Sequence, residues 1–101
     1  MALDFYDLND IHRKRKIFEI DHNEFEYLKE IFTEFKNKTG IIIDPYGITR
    51  IYQNHVALIA SNIKTQLDKL NSKVDPPEIE LFNRIYTYLS NVKHGLLIIG
   101  D

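Results

Sequence analysis

The side chains with the most chemistry to offer are carboxylates. Between Ile17 and Glu34 the chain carries Glu19, Asp21, Glu24, Glu26, Glu30 and Glu34, and the only Lys or Arg among them is Lys29. Glu26, Glu30 and Glu34 recur every fourth residue, so a helix sets them along one side, where like charges cost a few tenths of a kcal/mol per pair. Such a row either solvates a helix face or docks a basic partner. A second charged feature is the run His12-Arg13-Lys14-Arg15-Lys16. It reads as a phosphate-binding patch or as a solvated loop whose charges keep a strand edge from pairing. With no glycine and no interleaved aromatic, the loop reading is preferred.

Other chemistries lack their signatures. Gly40, Gly47, Gly95 and Gly100 fall at the ends of expected elements, outside any phosphate-cradling pattern. Ser61, Ser72 and Ser90 have no nucleophile-elbow context. His12, His22, His55 and His94 are scattered without metal-ligand spacing, and there is no cysteine to act as a thiolate ligand or nucleophile. Asp21-His22-Asn23-Glu24 has the residues of a weak chelate, and Asp44 beside Tyr46 those of an acid and phenol pair; helix capping and turn formation explain them with less. The expectation is a protein that is not an enzyme and uses no metal or cofactor.

Positioning these residues falls to one domain, residues 1–101, large enough to bury roughly 60–65% of the surface its unfolded chain exposes. Apolar residues make up 44% of it and the net charge is −2. The opening Met-Ala-Leu-Asp-Phe-Tyr-Asp has acids where a signal peptide needs positive charge, and no apolar run approaches the ~20 residues of a membrane span. A cytoplasmic location is expected.

The stretch that organises the fold is Thr39 to Tyr52, two β-branched arms around Asp44-Pro45-Tyr46-Gly47, which reads as a β-hairpin near 41–52. Before it, Phe25, Leu28, Ile31, Phe32 and Phe35 predict a helix over 24–38, capped by Asn23 with Glu26 and closed by Gly40. After it, Val56, Ile59, Ala60, Ile63, Leu67 and Leu70 predict a helix over 54–71 with Asn54 as cap. Ser72-Lys73-Val74 reads as a loop. Asp75-Pro76-Pro77-Glu78 then starts a third helix running to about Lys93, with Phe82, Ile85, Tyr86, Leu89 and Val92 inward and Leu81 and Tyr88 widening the apolar arc. Asp4 to Ile11 suggests a short helix, and Ile17–Ile20 a strand. The apolar Leu96–Ile99 suggests a strand against the hairpin. The fold class is therefore α+β, with three principal helices packed on a small, mainly antiparallel sheet.

The hairpin and the last residues carry a resemblance. Thr39-Gly40, Ile43-Asp44-Pro45-Tyr46-Gly47 and Thr49-Arg50, followed by a helix and later by His94-Gly95-Leu96-Leu97 and Ile99-Gly100-Asp101, resemble small bacterial immunity proteins of polymorphic-toxin and contact-dependent growth inhibition systems. The two stretches that hold these motifs, 39–50 and 94–101, cover about one fifth of the chain. The resemblance implies a protein that neutralises one cognate toxin by occluding its active site, without chemistry of its own. Such toxins are commonly nucleases with basic clefts, so the implied partner-binding residues are Glu19, Asp21, Glu26, Glu30 and Glu34, with Tyr86 and Tyr88 as aromatic anchors. The alternative is a small nucleic-acid-binding or regulatory module using 12–16. A homo-oligomer completed by the apolar tail is a further reading.

Overall fold

A computed structural model describes residues 2–70 and 76–101, with the side chains of Leu70 and Pro76 left out. The expected loop Ser72-Lys73-Val74 and the cap Asp75 therefore lie outside the described residues, as does Leu70's place in its stripe. In chain order the elements are β1 (Ala2–Asp7), β2 (Lys16–Asp21), α1 (His22–Thr39), β3 (Ile48–Tyr52), α2 (Gln53–Leu70), α3 (Pro76–Ser90) and β4 (Gly95–Gly100). The strands form a four-stranded sheet in the order β2-β1-β4-β3, antiparallel at every pairing. The α+β class, the three helices and the strand at Leu96–Ile99 stand as expected, except that α2 begins at Gln53, which puts Asn54 inside the helix rather than at its cap.

The core lies between one face of the sheet and the helices. Leu3, Phe5, Phe18, Ile20, Ile51, Leu96 and Ile98 supply the sheet side, and Leu28, Ile31, Phe35, Val56, Ile59, Ile63, Leu81, Phe82, Ile85 and Leu89 the helix side. Most of each stripe read from helical spacing is buried, with Phe25, Phe32, Ala60, Leu67 and Tyr86 packed half-buried at its margin, the physical reason an amphipathic segment folds only against a partner. The other sheet face is open. Leu97 points to it, and it is still buried between its cross-strand neighbours Tyr6 and Arg50.

Two expected elements are corrected. Asp4 to Ile11 is not a helix: β1 spans Ala2–Asp7, and its alternation buries Leu3 and Phe5 while Asp4 and Tyr6 face the other way. The Asp7 carboxylate accepts from the Asn9 N–H at 2.8 Å and turns the chain out of the strand. Nor is there a hairpin over 41–52. Only its second arm is a strand, β3, and that strand pairs with β4. Ile41–Ile43 belong to the connection from α1, with Ile43 buried in the core and Ile42 59% exposed. The turn itself is present: Asp44 accepts the Tyr46 N–H at 2.9 Å on its side chain and the Gly47 N–H at 3.5 Å on its carbonyl.

The two segments that carry the family resemblance meet here. The Gly100 N–H donates to the Gly47 carbonyl at 2.7 Å, and a Cβ on Gly100 would lie 2.2 Å from the Pro45 carbonyl oxygen. The Asp44-Pro45 turn sits directly on the end of β4, which requires glycine there because only a missing side chain permits that approach. At the other end of the same strand, Gly95 has φ +116, and its carbonyl accepts from the Leu8 N–H at 3.1 Å.

Candidate functional site

The acidic residues divide among three settings. Asp21, not Asn23, caps α1: its carboxylate accepts the Glu24 N–H at 2.8 Å while Glu24 accepts the Asp21 N–H at 3.0 Å. This corrects the capping pair by two residues, because β2 runs to Asp21 and the helix follows at once. Glu24 also pairs with Arg84, tying α1 to α3, so two of the acids in the run hold the fold together. Glu19 lies on the open sheet face beside its cross-strand neighbour Asp4, and Lys16 bridges both at 3.0 and 3.4 Å. The two carboxylates raise the Lys16 pKa above the ordinary lysine value, the hydrogen bond to Glu19 most of all.

Glu26, Glu30 and Glu34 form the third setting, an exposed ridge along α1. Lys29 meets Glu26 at 3.0 Å and Lys38 meets Glu34 at 3.5 Å. Both pairs are half exposed and so each is worth no more than about 1 kcal/mol. Glu30, between them, has no ion-pair partner among the described residues. Glu30 and Glu34 form one wall of a cleft of about 320 Å³ between α1 and α2, whose other wall carries Ser61, Asn62, Thr65 and Lys69. Asn62 accepts from Lys38 at 3.5 Å on its Oδ1, while its Nδ2 is shielded from solvent with no hydrogen-bond partner among the described residues. That Asn62 faces the acids across a cleft depends on how α1 and α2 pack, which helical spacing alone does not specify.

The tyrosines do not form one patch. Two positions along a helix turn a side chain by about 200°, so Tyr86 and Tyr88 leave α3 in nearly opposite directions. Tyr86 is half-buried with the Lys64 ammonium 5.7 Å from its ring centroid. Tyr88 closes a stack on the sheet: its ring lies 5.0 Å from Phe18, which lies 4.2 Å from Phe5, all nearly parallel. It remains 37% exposed.

In the basic run, His12 to Arg15 lie in the connection between β1 and β2 and Lys16 opens β2; all five are exposed. Its shape is set by Asp10, whose carboxylate accepts the N–H groups of Lys14 and Arg15, each at 3.0 Å, while Arg13 takes φ 54. Backbone donors of the kind that cradle phosphate are therefore already occupied. Those bonds, to Lys14 first and Arg15 second, hold the Asp10 carboxyl below the usual aspartate range. A depressed carboxyl favours the folded loop above its unfolded pKa, and the advantage is lost as pH falls through the folded one. In an acid titration the Lys14 and Arg15 amide resonances should hold their neutral-pH positions into the ordinary aspartate range and move together only below it. Movement around neutral pH would contradict this.

Among the described residues no three His, Asp or Glu side chains converge as metal ligands. The Tyr46 side chain is 74% exposed while Asp44 bonds to backbone, which is turn geometry. The void inside the core holds about 10 Å³ and is lined by apolar side chains alone, Phe5, Leu28 and Ile98 among them. None of the described helices is long and apolar enough to cross a membrane. No family model, curated protein or solved structure matches the chain.

Proposed function

We propose that this protein is a binding protein of the toxin-immunity kind, cytoplasmic and without catalysis of its own, that occludes the active site of a cognate nuclease toxin. The observation that carries the reading is the exposed ridge Glu26-Glu30-Glu34 bordering the α1–α2 cleft. A row of carboxylates held at helical spacing offers a basic nuclease cleft negative charge where it expects phosphates. The resemblance of the Asp44–Gly47 turn and the Gly95–Asp101 segment to immunity proteins supports it independently of the charge. Glu19, Asp21, Tyr86 and Tyr88 are secondary contacts at most, since each lies apart from the ridge.

The test is the double substitution Glu30→Gln with Glu34→Gln. Folding should be unchanged within about 0.5 kcal/mol, because removing one weak ion pair is offset by relief of like-charge repulsion. Binding to a nuclease domain encoded beside this chain, and protection of cells expressing that domain, should fall and become more sensitive to salt. Truncating one member of a buried charged pair costs about 2–5 kcal/mol. A double variant that melts normally and still protects fully would return the ridge to solubility alone. A rival reading, nucleic-acid binding through Arg13, Lys14, Arg15 and Lys16, predicts affinity for DNA or RNA that falls steeply with salt. It gains if changing those residues to glutamine abolishes partner binding.

A further inference from the structure

The two edges of the sheet are built differently. β2 carries Lys16, Glu19 and Asp21, and its register with β1 breaks at Phe5/Tyr6; charge and a bulge are both devices that discourage another strand from adding. β3 has neither an acid nor a register break. It reads Ile48-Thr49-Arg50-Ile51-Tyr52, pairs continuously with β4, and leaves Ile48 49% and Tyr52 59% exposed.

The direction of its backbone groups follows from two hydrogen bonds. Gly47 turns its carbonyl toward β4, accepting from Gly100, and Tyr52 gives its N–H to His55 Nδ1 at 3.1 Å. In an antiparallel pair these orientations alternate. Gly47, Thr49 and Ile51 therefore bond to β4, and Ile48 and Arg50 present N–H and carbonyl groups outward. The side chains of Ile48, Arg50 and Tyr52 share the open sheet face, and Arg50 has no ion-pair partner among the described residues.

We propose that β3 accepts an extended segment of a partner protein as an added strand, with an acidic side chain opposite Arg50 and apolar side chains two residues to either side, over Ile48 and Tyr52. Main-chain bonds at Ile48 and Arg50 hold such a segment, and the alternating side chains select it. The charge argues against a second copy of this chain, because self-pairing over the whole of β3 sets Arg50 against Arg50. This surface is separate from the acidic ridge, and the inference stands whether or not the ridge binds a toxin.

The probe is a capped synthetic peptide, Thr-Val-Thr-Glu-Thr-Val-Thr, titrated into isotope-labelled protein and followed by amide resonances. The Ile48 and Arg50 amides should shift most, and a peptide with lysine in place of its glutamate should bind about five- to tenfold more weakly. Arg50→Glu should reverse that preference, and because it keeps an aliphatic stem beside Leu97 at an exposed position, the sheet should persist. Arg50→Pro removes an outward N–H without touching a bond to β4 and should abolish binding. Equal binding of the two peptides, shifts centred on the α1–α2 cleft, or no shift at all would each overturn the proposal. Shifts at β3 that depend on protein concentration without peptide would assign the edge to a second copy and overturn it too.

Discussion

Deletion of Leu96–Asp101 is expected to abolish the cooperative fold. β4 is hydrogen-bonded on both sides, to β1 and to β3, so its loss divides the sheet into a two-stranded ribbon and one isolated strand. Neither piece is stable alone in water. Leu96, Leu97 and Ile98 are each no more than 4% exposed. Burying three such side chains contributes roughly 5–9 kcal/mol, comparable with the ~5–15 kcal/mol that holds a whole domain together. Circular dichroism should show lost strand signal and no sigmoidal melt, and amide resonances should collapse into a narrow range. A truncated chain that melts where the intact one does would mean that the strand adds nothing.

Gly95→Ala should be strongly destabilising, although it adds one methyl group. With φ +116, Gly95 occupies a region that L side chains rarely adopt, at a cost of order 1–3 kcal/mol. The added Cβ would also lie 2.3 Å from the Ile51 carbonyl oxygen and 3.0 Å from the Tyr52 Cα. Those are backbone atoms of the neighbouring strand and cannot swing aside, so overpacking adds roughly 1–3 kcal/mol more. The expected loss is about 2–6 kcal/mol, read as a fall in denaturant midpoint with an unchanged slope. Gly40→Ala is the control. Gly40 is left-handed too, at φ 78, but no atom of the described residues stands within 4 Å of a Cβ there, so only the backbone cost applies. Equal losses at the two positions would show that the contact with β3 does not matter.

The contrast between those glycines mirrors what was legible in the sequence. Local features were: the left-handed cap at Gly40, the apolar stripes of the helices, the Asp44–Gly47 turn and the i,i+4 acidic ridge all depend on neighbours a few residues away. Pairing was not. The Ile41–Ile43 arm has the composition of a strand, but the partner of β3 begins over forty residues later, and turn chemistry cannot specify that. In β1 the two-residue alternation was outweighed by Asp4, which resembles a helix cap when its strand neighbours are unknown. At α1 both Asp21–Glu24 and Asn23–Glu26 have capping-box spacing, and the end of β2 decides between them. The ridge was readable as charge, but its cleft with Asn62 and the separation of Tyr86 from Tyr88 arise from packing and helix geometry. Arg50 became a candidate only once β3 proved to be an edge.

The sheet order also fixes a sequence of events in time. The inner position between β1 and β3 belongs to the strand made last of the four, so a growing chain exposes β1 and β3 for the whole interval before residues 95–100 emerge. Closing the sheet joins residues 2–7 to residues 95–100, a long loop that slows folding compared with a chain of mainly local contacts. During that wait the open side of β1 can pair with whatever extended segment is nearby. Nascent chains stalled before residue 95 should therefore be the aggregation-prone species, and chaperones that hold unpaired apolar strands should engage this protein during synthesis and release it once β4 has docked.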